Sequence, residues 1–223
     1  MTSKLNKTKI KCAVFDLDGT LLNTIKTINY YLNFALEKHG LGSVSESDTM
    51  NFVGDGAVKL IERALRKIGA DDSLFDEVFR TYNDVYNASP YYLTNAYDGI
   101  KETLLALKEQ GIKLAVLSNK PDFAVKATAG RFFPDIFDIV RGGKEGVPLK
   151  PCPDALFDIM KELGVTPEET AYIGDSEPDV LTAKNAGVAL SISVTYGFRT
   201  KKQLEKAGAE ILIDNPAEIT FLI

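Results

Sequence analysis

Short runs of unbroken apolar, mostly β-branched character recur along the chain: IKCAVF at 10–15, IKLAVLS at 112–118, FDIV at 137–140, TAYIG at 170–174 and VALSISV at 188–194. Runs of this length, without polar alternation, predict strands buried on both faces. Between them lie segments of helical period. IKETLLALKEQG brings Ile100, Leu104 and Leu107 to one side and stops at Gly111, and PDALFDIMKELG opens near Pro153 and stops at Gly164. Proline near a helix start and glycine just past its end punctuate such segments. Strand and helix alternate, which predicts an α/β chain: a Rossmann-like parallel-sheet core with helices on both faces.

One region breaks the alternation. From Thr24 to Asn95 only helical patterns occur, among them TINYYLNFALEKHG, GAVKLIERALRKIG and DSLFDEVFRTYNDVY. Roughly seventy residues is near the lower end of independent domain size. We therefore expect an inserted all-helical cap at 23–96, with its edges near Leu22 and Tyr97, seated on a core made of 1–22 and 97–223.

Composition narrows the partners. The chain has 223 residues, 45% hydrophobic and 26% charged, with a net charge of −5, so it has no basic surplus with which to bind a nucleic-acid backbone. The two cysteines, Cys12 and Cys152, lie far apart and build neither a disulfide framework nor a thiolate metal cluster. The opening MTSKLNKTKIKC precedes no signal-peptide apolar stretch, and no run nears the ~20 apolar residues of a membrane span. A cytoplasmic protein with a small-molecule partner and no membrane attachment is the expectation; nothing here distinguishes monomer from dimer.

Ligands of an open parallel sheet bind beyond the carboxyl ends of its strands, so polar residues after each apolar run are expected to converge. Asp16, Asp18, Gly19 and Thr20 follow the first run, and Ser118 and Asn119 the second. Lys150, in LKPCPD, follows the third, and Asp175, Ser176 and Asp179 follow the fourth. The D-x-D-G of 16–19 could be a surface turn. An EF-hand calcium loop fails, because aligning Gly19 with the invariant glycine puts Val14 and Ile25 at ligand positions.

Phosphoryl transfer uses more of these residues. Asp16 would be the nucleophile forming an aspartyl-phosphate, and Asp18 the general acid and base. Gly19 would let backbone approach the phosphate. Mg²⁺ would bridge Asp16 and a phosphate oxygen, with Asp175 as a further carboxylate ligand. Lys150 would face the phosphoryl oxygens, and Ser118 and the Asn119 backbone would donate to them. Simpler roles stand beside these: Asp175 and Asp179 as acids complementing a helix N-terminus, Ser118 as a cap before Pro121, and Lys150 as a surface lysine. His39 fits a helix C-terminus, Cys152 a structural position, and the pairs Tyr30–Tyr31 and Tyr91–Tyr92 packing of the helical region.

Together, DLDGT, LSN, LKPCPD and GDSEPD resemble the four motifs of the haloacid dehalogenase superfamily, in order over essentially the whole chain. The resemblance implies Mg²⁺-dependent phosphatase chemistry, with Asp16 as nucleophile and Asp18 as acid and base. It also implies Ser118 and Lys150 as phosphate ligands and a metal held by Asp16, the Asp18 backbone carbonyl and Asp175. VGDGAVKLIERAL, SNKPDFAV and GDSEPDVLTAKNAG with VTYGF are similar to segments of the phosphoglycolate phosphatase branch, in which the cap loop, here Gly54, Asp55 and Gly56, dips toward the active site. That branch implies 2-phosphoglycolate as substrate. Phosphosugar mutases, pyrophosphatases and nucleotidases of the superfamily keep both acids too, and a non-catalytic metabolite binder on the same scaffold is the alternative of another class. Asn23, Leu149 and Asp98 depart from residues frequent in relatives, at positions bearing on cap and substrate rather than on chemistry.

Overall fold

The structure is a computed structural model that describes residues 9–223; residues 1–8, part of the polar opening MTSKLNKTKIKC, lie outside the described residues. Strand β1 (Cys12–Phe15) runs through a turn into the two-residue β2 (Leu22–Asn23). Four helices follow: α1 (Ile25–Lys38), α2 (Glu46–Phe52), α3 (Ala57–Ile68) and α4 (Phe75–Ala88). Strand β3 (Asn95–Ala96) returns antiparallel to β2, with Leu22 opposite Ala96 and Asn23 opposite Asn95. Alternation then resumes with α5 (Ile100–Glu109), β4 (Lys113–Pro121), α6 (Asp122–Phe132), β5 (Ile139–Gly143), α7 (Asp154–Leu163) and β6 (Thr170–Gly174). It ends with α8 (Glu177–Ala186), β7 (Leu190–Val194), α9 (Lys201–Ala207), β8 (Ile211–Ile213) and α10 (Ile219–Leu222).

Six strands form one parallel sheet in the order β5-β4-β1-β6-β7-β8. Successive residues of β1 serve opposite faces, as the period of a strand requires. Ala13 and Phe15 pack with Ile100, Leu104 and Leu107 of α5, Val125 of α6 and Ile219 of α10. Cys12 and Val14 pack with Leu156, Ile159 and Met160 of α7 and with Ala183 and Ala186 of α8. This is the two-faced burial that unbroken apolar runs predict, and the fold is the Rossmann-like α/β architecture expected. The chain adds β4 and β5 on one side of β1 and then β6 to β8 on the other, so the strand order reverses at β1. A crevice opens there, at the carboxyl ends of β1, β4 and β6.

Three strand readings change. The 137–140 run begins its strand later, at Ile139, because the Asp138 carboxylate itself accepts from the Leu114 N–H at 2.8 Å. Strand β4 runs past Ser118 to Pro121 through a register shift after Leu117, which carries Ser118, Asn119 and Lys120 to the rim of the sheet. Strand β8 and the β2–β3 ribbon were not expected, being two or three residues long.

The helices between β2 and β3 enclose a hydrophobic cluster of their own. Leu32 and Leu36 of α1 meet Ile61 and Leu65 of α3 and Val78, Tyr82 and Tyr86 of α4. Tyr31 meets the Tyr86 ring edge-on at 5.7 Å, so part of the tyrosine content packs this bundle. His39 follows α1 and hydrogen-bonds Thr81, with the Glu77 carboxylate 3.4 Å away.

Candidate active site

Asp16 continues directly from β1, its N–H donating to Ile173 O at 2.9 Å. Its Oδ1 accepts from the Leu17 N–H at 2.7 Å and lies 2.9 Å from Lys150 Nζ. That ammonium also donates to Asp179 Oδ1 at 2.7 Å, an oxygen that accepts from Tyr172 Oη at 3.0 Å as well. Asp179 Oδ2 is taken by the Ser176 N–H and hydroxyl. Lys150 therefore stands between two buried carboxylates, with Asp179 saturated and Asp16 Oδ2 left uncommitted.

Electrostatics follow from this burial. Burial and then the neighbouring Asp179 push the Asp16 carboxyl up to about 7, against the lowering effect of Lys150. Burial alone would lower Lys150; Asp16 and Asp179 outweigh it and hold its ammonium well above the ordinary lysine value. Asp175 is fully buried and, among the described residues, has no ion-pair partner. It accepts only from the Phe198 N–H at 2.7 Å and the Thr20 hydroxyl at 3.3 Å, and burial raises its pKa well above the carboxylate range. An unpaired buried carboxylate is costly, and such groups pair or coordinate metals.

The donor set fits a hard divalent cation. Asp16, Asp175 and Asp179 each bring an oxygen within 4.8 Å of the others. With Asp18 they make four carboxylates; the ion pairs made to them among the described residues come from the ammonium groups of Lys120 and Lys150, while the Arg199 guanidinium pairs with Glu177 and acts on Asp175 only from a distance. Because Asp179 is saturated, Asp16 and Asp175 are the carboxylates available to such an ion, and all-oxygen ligation suits magnesium or a similar ion.

A cavity of about 720 Å³, open mouth included, lies over these groups. Asp16, Asp18, Ser118, Asn119, Lys150, Asp175 and Ser176 line it from the sheet side, and Gly54 and Gly56 from the helical side. The remaining expected residues do something else. Asp55 is turned away into an ion pair with Arg63. Thr20 is buried and spends its hydroxyl on Asp175 rather than on the cavity. Gly19, at φ +88°, lies against Asp175, since a Cβ there would sit 2.2 Å from Asp175 Oδ2; its lack of a side chain makes room for that carboxylate. Asn119 adds a side-chain brace that was not expected. Its Nδ2 donates to Gly54 O at 2.9 Å and Lys150 O at 3.1 Å, and its Oδ1 accepts from the Lys150 N–H at 2.8 Å.

Two cations escaped the sequence reading. Lys120, 8% exposed, pairs with Asp18 Oδ1 at 2.7 Å; the signal was a lysine directly after the LSN stretch. Arg199 donates to the carbonyls of Met50 and Val53 and binds Glu177 at 2.7 Å, tying the end of α2 to the core. Nothing local marks it.

An α/β core under a helical layer, with paired acids and a buried lysine at the strand ends, defines a class of hydrolase. The family of haloacid dehalogenase-like hydrolases matches residues 13–192. Phosphoglycolate phosphatase of Vibrio vulnificus is 33% identical over 98% of both chains, and that of Pectobacterium atrosepticum 31% identical over 97% of this chain and 93% of its own. A solved structure from Lactobacillus delbrueckii, provisionally assigned as a phosphoglycolate phosphatase, superposes with a TM-score of 0.89 at 33% identity, covering 96% of this chain and 98% of that one. CbbY of Rhodobacter sphaeroides, solved in complex with phosphate, gives 0.78 at 26% identity over 94% and 96%. This chain belongs to the haloacid dehalogenase-like hydrolase family, in its phosphoglycolate phosphatase-like branch, and is a phosphoric monoester hydrolase. No helix among the described residues is long and apolar enough to cross a membrane.

Proposed function

We propose that this chain hydrolyses 2-phosphoglycolate to glycolate and phosphate through an aspartyl-phosphate on Asp16, with Mg²⁺ as cofactor. The observation that carries the chemistry is the Asp16 carboxylate at the end of the central strand, facing the cavity and held by Leu17 N–H and Lys150 at 2.7 and 2.9 Å. The names of the relatives support the substrate.

In this reading an Asp16 oxygen attacks phosphorus, and the bond to the leaving oxygen breaks as protonated Asp18 gives that oxygen its proton. Asp18, now a carboxylate, takes a proton from water, whose oxygen attacks phosphorus and releases Asp16 and inorganic phosphate. Ser118, 4% exposed and on the cavity wall, donates to the phosphoryl oxygens, and Lys150 faces their charge. Asp16, Asp175 and the Asp18 carbonyl would hold Mg²⁺, which supplies charge neutralisation at the phosphoryl group. Lys120 orients Asp18, and Asp179 holds Lys150.

Phosphate release over a panel of small esters tests both parts. Asp16→Asn is expected to lower turnover at least ~10³-fold with an unchanged melting curve, and retained activity would rule out Asp16 as nucleophile. Glycolate phosphate ranking level with unrelated esters would refute the substrate while leaving the chemistry standing.

A further inference from the structure

The groups assigned above account for the sheet side of the cavity and leave the α4 side without a role. There Tyr82, Asn83 and Tyr86 line the space above Asp18 and Lys120. Tyr86 is 4% exposed, and its hydroxyl is buried with no hydrogen-bond partner among the described residues. Leaving a buried hydroxyl unpaired costs ~1–3 kcal/mol, and such an orphan in a native site asks for a partner that arrives later. Tyr82 stacks on it with centroids 5.3 Å apart, and Lys120 Nζ lies 5.4 Å from the Tyr86 ring centroid.

This wall offers two phenols, a carboxamide and an ammonium group. Burial pushes both phenols well above their ordinary value, so each keeps its proton, and the ammonium of Lys120 has three protons of which Asp18 takes one. Asn83, half-buried, adds a carboxamide. Ile28, Val53 and Leu60 close the rest of the helical side with apolar surface. A polyol would find partners too, since phenols and a carboxamide also accept, but it would bring no negative charge to the Lys120 ammonium. A carboxylate brings only acceptors and a negative charge.

We propose that Tyr86, with Tyr82, Asn83 and Lys120, forms the subsite that receives a carboxylate carried on the leaving alcohol of the substrate. The assignment rests on the phosphatase reading and makes these the residues that set specificity, the Tyr86 hydroxyl above all.

Binding to the full-length Asp16→Asn protein separates recognition from turnover. Calorimetry with Mg²⁺ present compares 2-phosphoglycolate with ethyl phosphate, which replaces the carboxylate by a methyl group. The Asp16→Asn parent is expected to prefer the carboxylate ester. Adding Tyr86→Phe is expected to shrink that preference about tenfold, the size of a hydrogen bond to a charged group. Asn83→Ala, at a half-buried position, shifts it in the same direction and keeps the test open should the phenylalanine variant fold poorly. A preference unchanged in both variants, or a parent that binds the two esters alike, overturns the carboxylate subsite. Neither result touches the chemistry, which stands or falls on ethyl phosphate hydrolysis by the intact chain and its loss in Asp16→Asn.

Discussion

Cys12 and Asp16 stand four positions apart at the two ends of one buried stretch, and burial acts on both. The Cys12 thiol is pushed up to about 12, first by desolvation and then by Asp138, while Asp16 reaches only about 7 with Lys150 opposing the rise. A neutral thiol at the foot of the strand packs like a small hydrophobe, and a carboxylate at its tip keeps a cation beside it. With the thiol fully buried and Cys152 half-exposed, a thiol reagent is expected to label one cysteine per native chain and two after denaturation. The sign of the alkaline effect is fixed. The unfolded thiol, near its ordinary 9, loses its proton before the folded one, so this stability contribution is intact below pH 9 and is lost between 9 and 12. At pH 10.5 the loss is about 2 kcal/mol. Urea melts at pH 8 and 10.5 check it: wild type is expected to lose that much more than Cys12→Ala, and equal losses would show that the buried thiol does not titrate as described.

At the scale of elements, the sheet was readable because its strands are buried on both faces and so carry an unbroken apolar run, as in CAVF and TAYIG. Strand β8, three residues long, and the β2–β3 ribbon are too short for any period to register, and β5 started late because a side chain replaced a backbone partner at Asp138. Among candidate site residues, those at strand ends were legible since topology alone gathers them: Asp16, Ser118, Lys150 and Asp175 line one cavity. The partners of Asp55 and Thr20 were not legible, because which way a loop side chain turns depends on distant residues, here Arg63 and Asp175. Arg199 was invisible for the same reason, as its partners Met50 and Val53 lie about 150 positions away. Together with Asn119 on Gly54 it grips the 50–56 segment, from the last turn of α2 to the start of α3. Arg199→Ala is expected to speed amide exchange across 50–56 at least tenfold, through local opening, and to lower kcat/KM by a similar factor with the sheet still protected. Unchanged exchange in that segment would show that the grip is incidental.

Over the whole molecule, 31 acidic residues face 26 basic ones, a mild excess that says little by itself. Its placement says more. Asp16 and Asp18 after β1, Asp175 after β6 and Asp179 in the first turn of α8 come to one crevice, and Lys120 at the end of β4 and Lys150 in the loop before α7 answer them. The fold thus concentrates negative charge where the strand order reverses, and Asp175 is left with only an amide and a hydroxyl for company. A site organised this way is expected to be destabilising without a counter-charge, so on the proposed metal reading binding and folding are linked. Mg²⁺ at a hundredfold its dissociation constant is expected to add about 2.7 kcal/mol, which for a chain of this size raises Tm by roughly 5–10 °C. Asp175→Asn removes the unpaired carboxyl group, so two changes are expected together: a Tm without metal no lower than wild type, and most of the Mg²⁺ response gone. Scanning calorimetry in chelator and in Mg²⁺ reads both without any substrate. A wild-type Tm indifferent to Mg²⁺, or a variant that responds as fully as wild type, would mean that the crevice balances its acids without a divalent ion at Asp175.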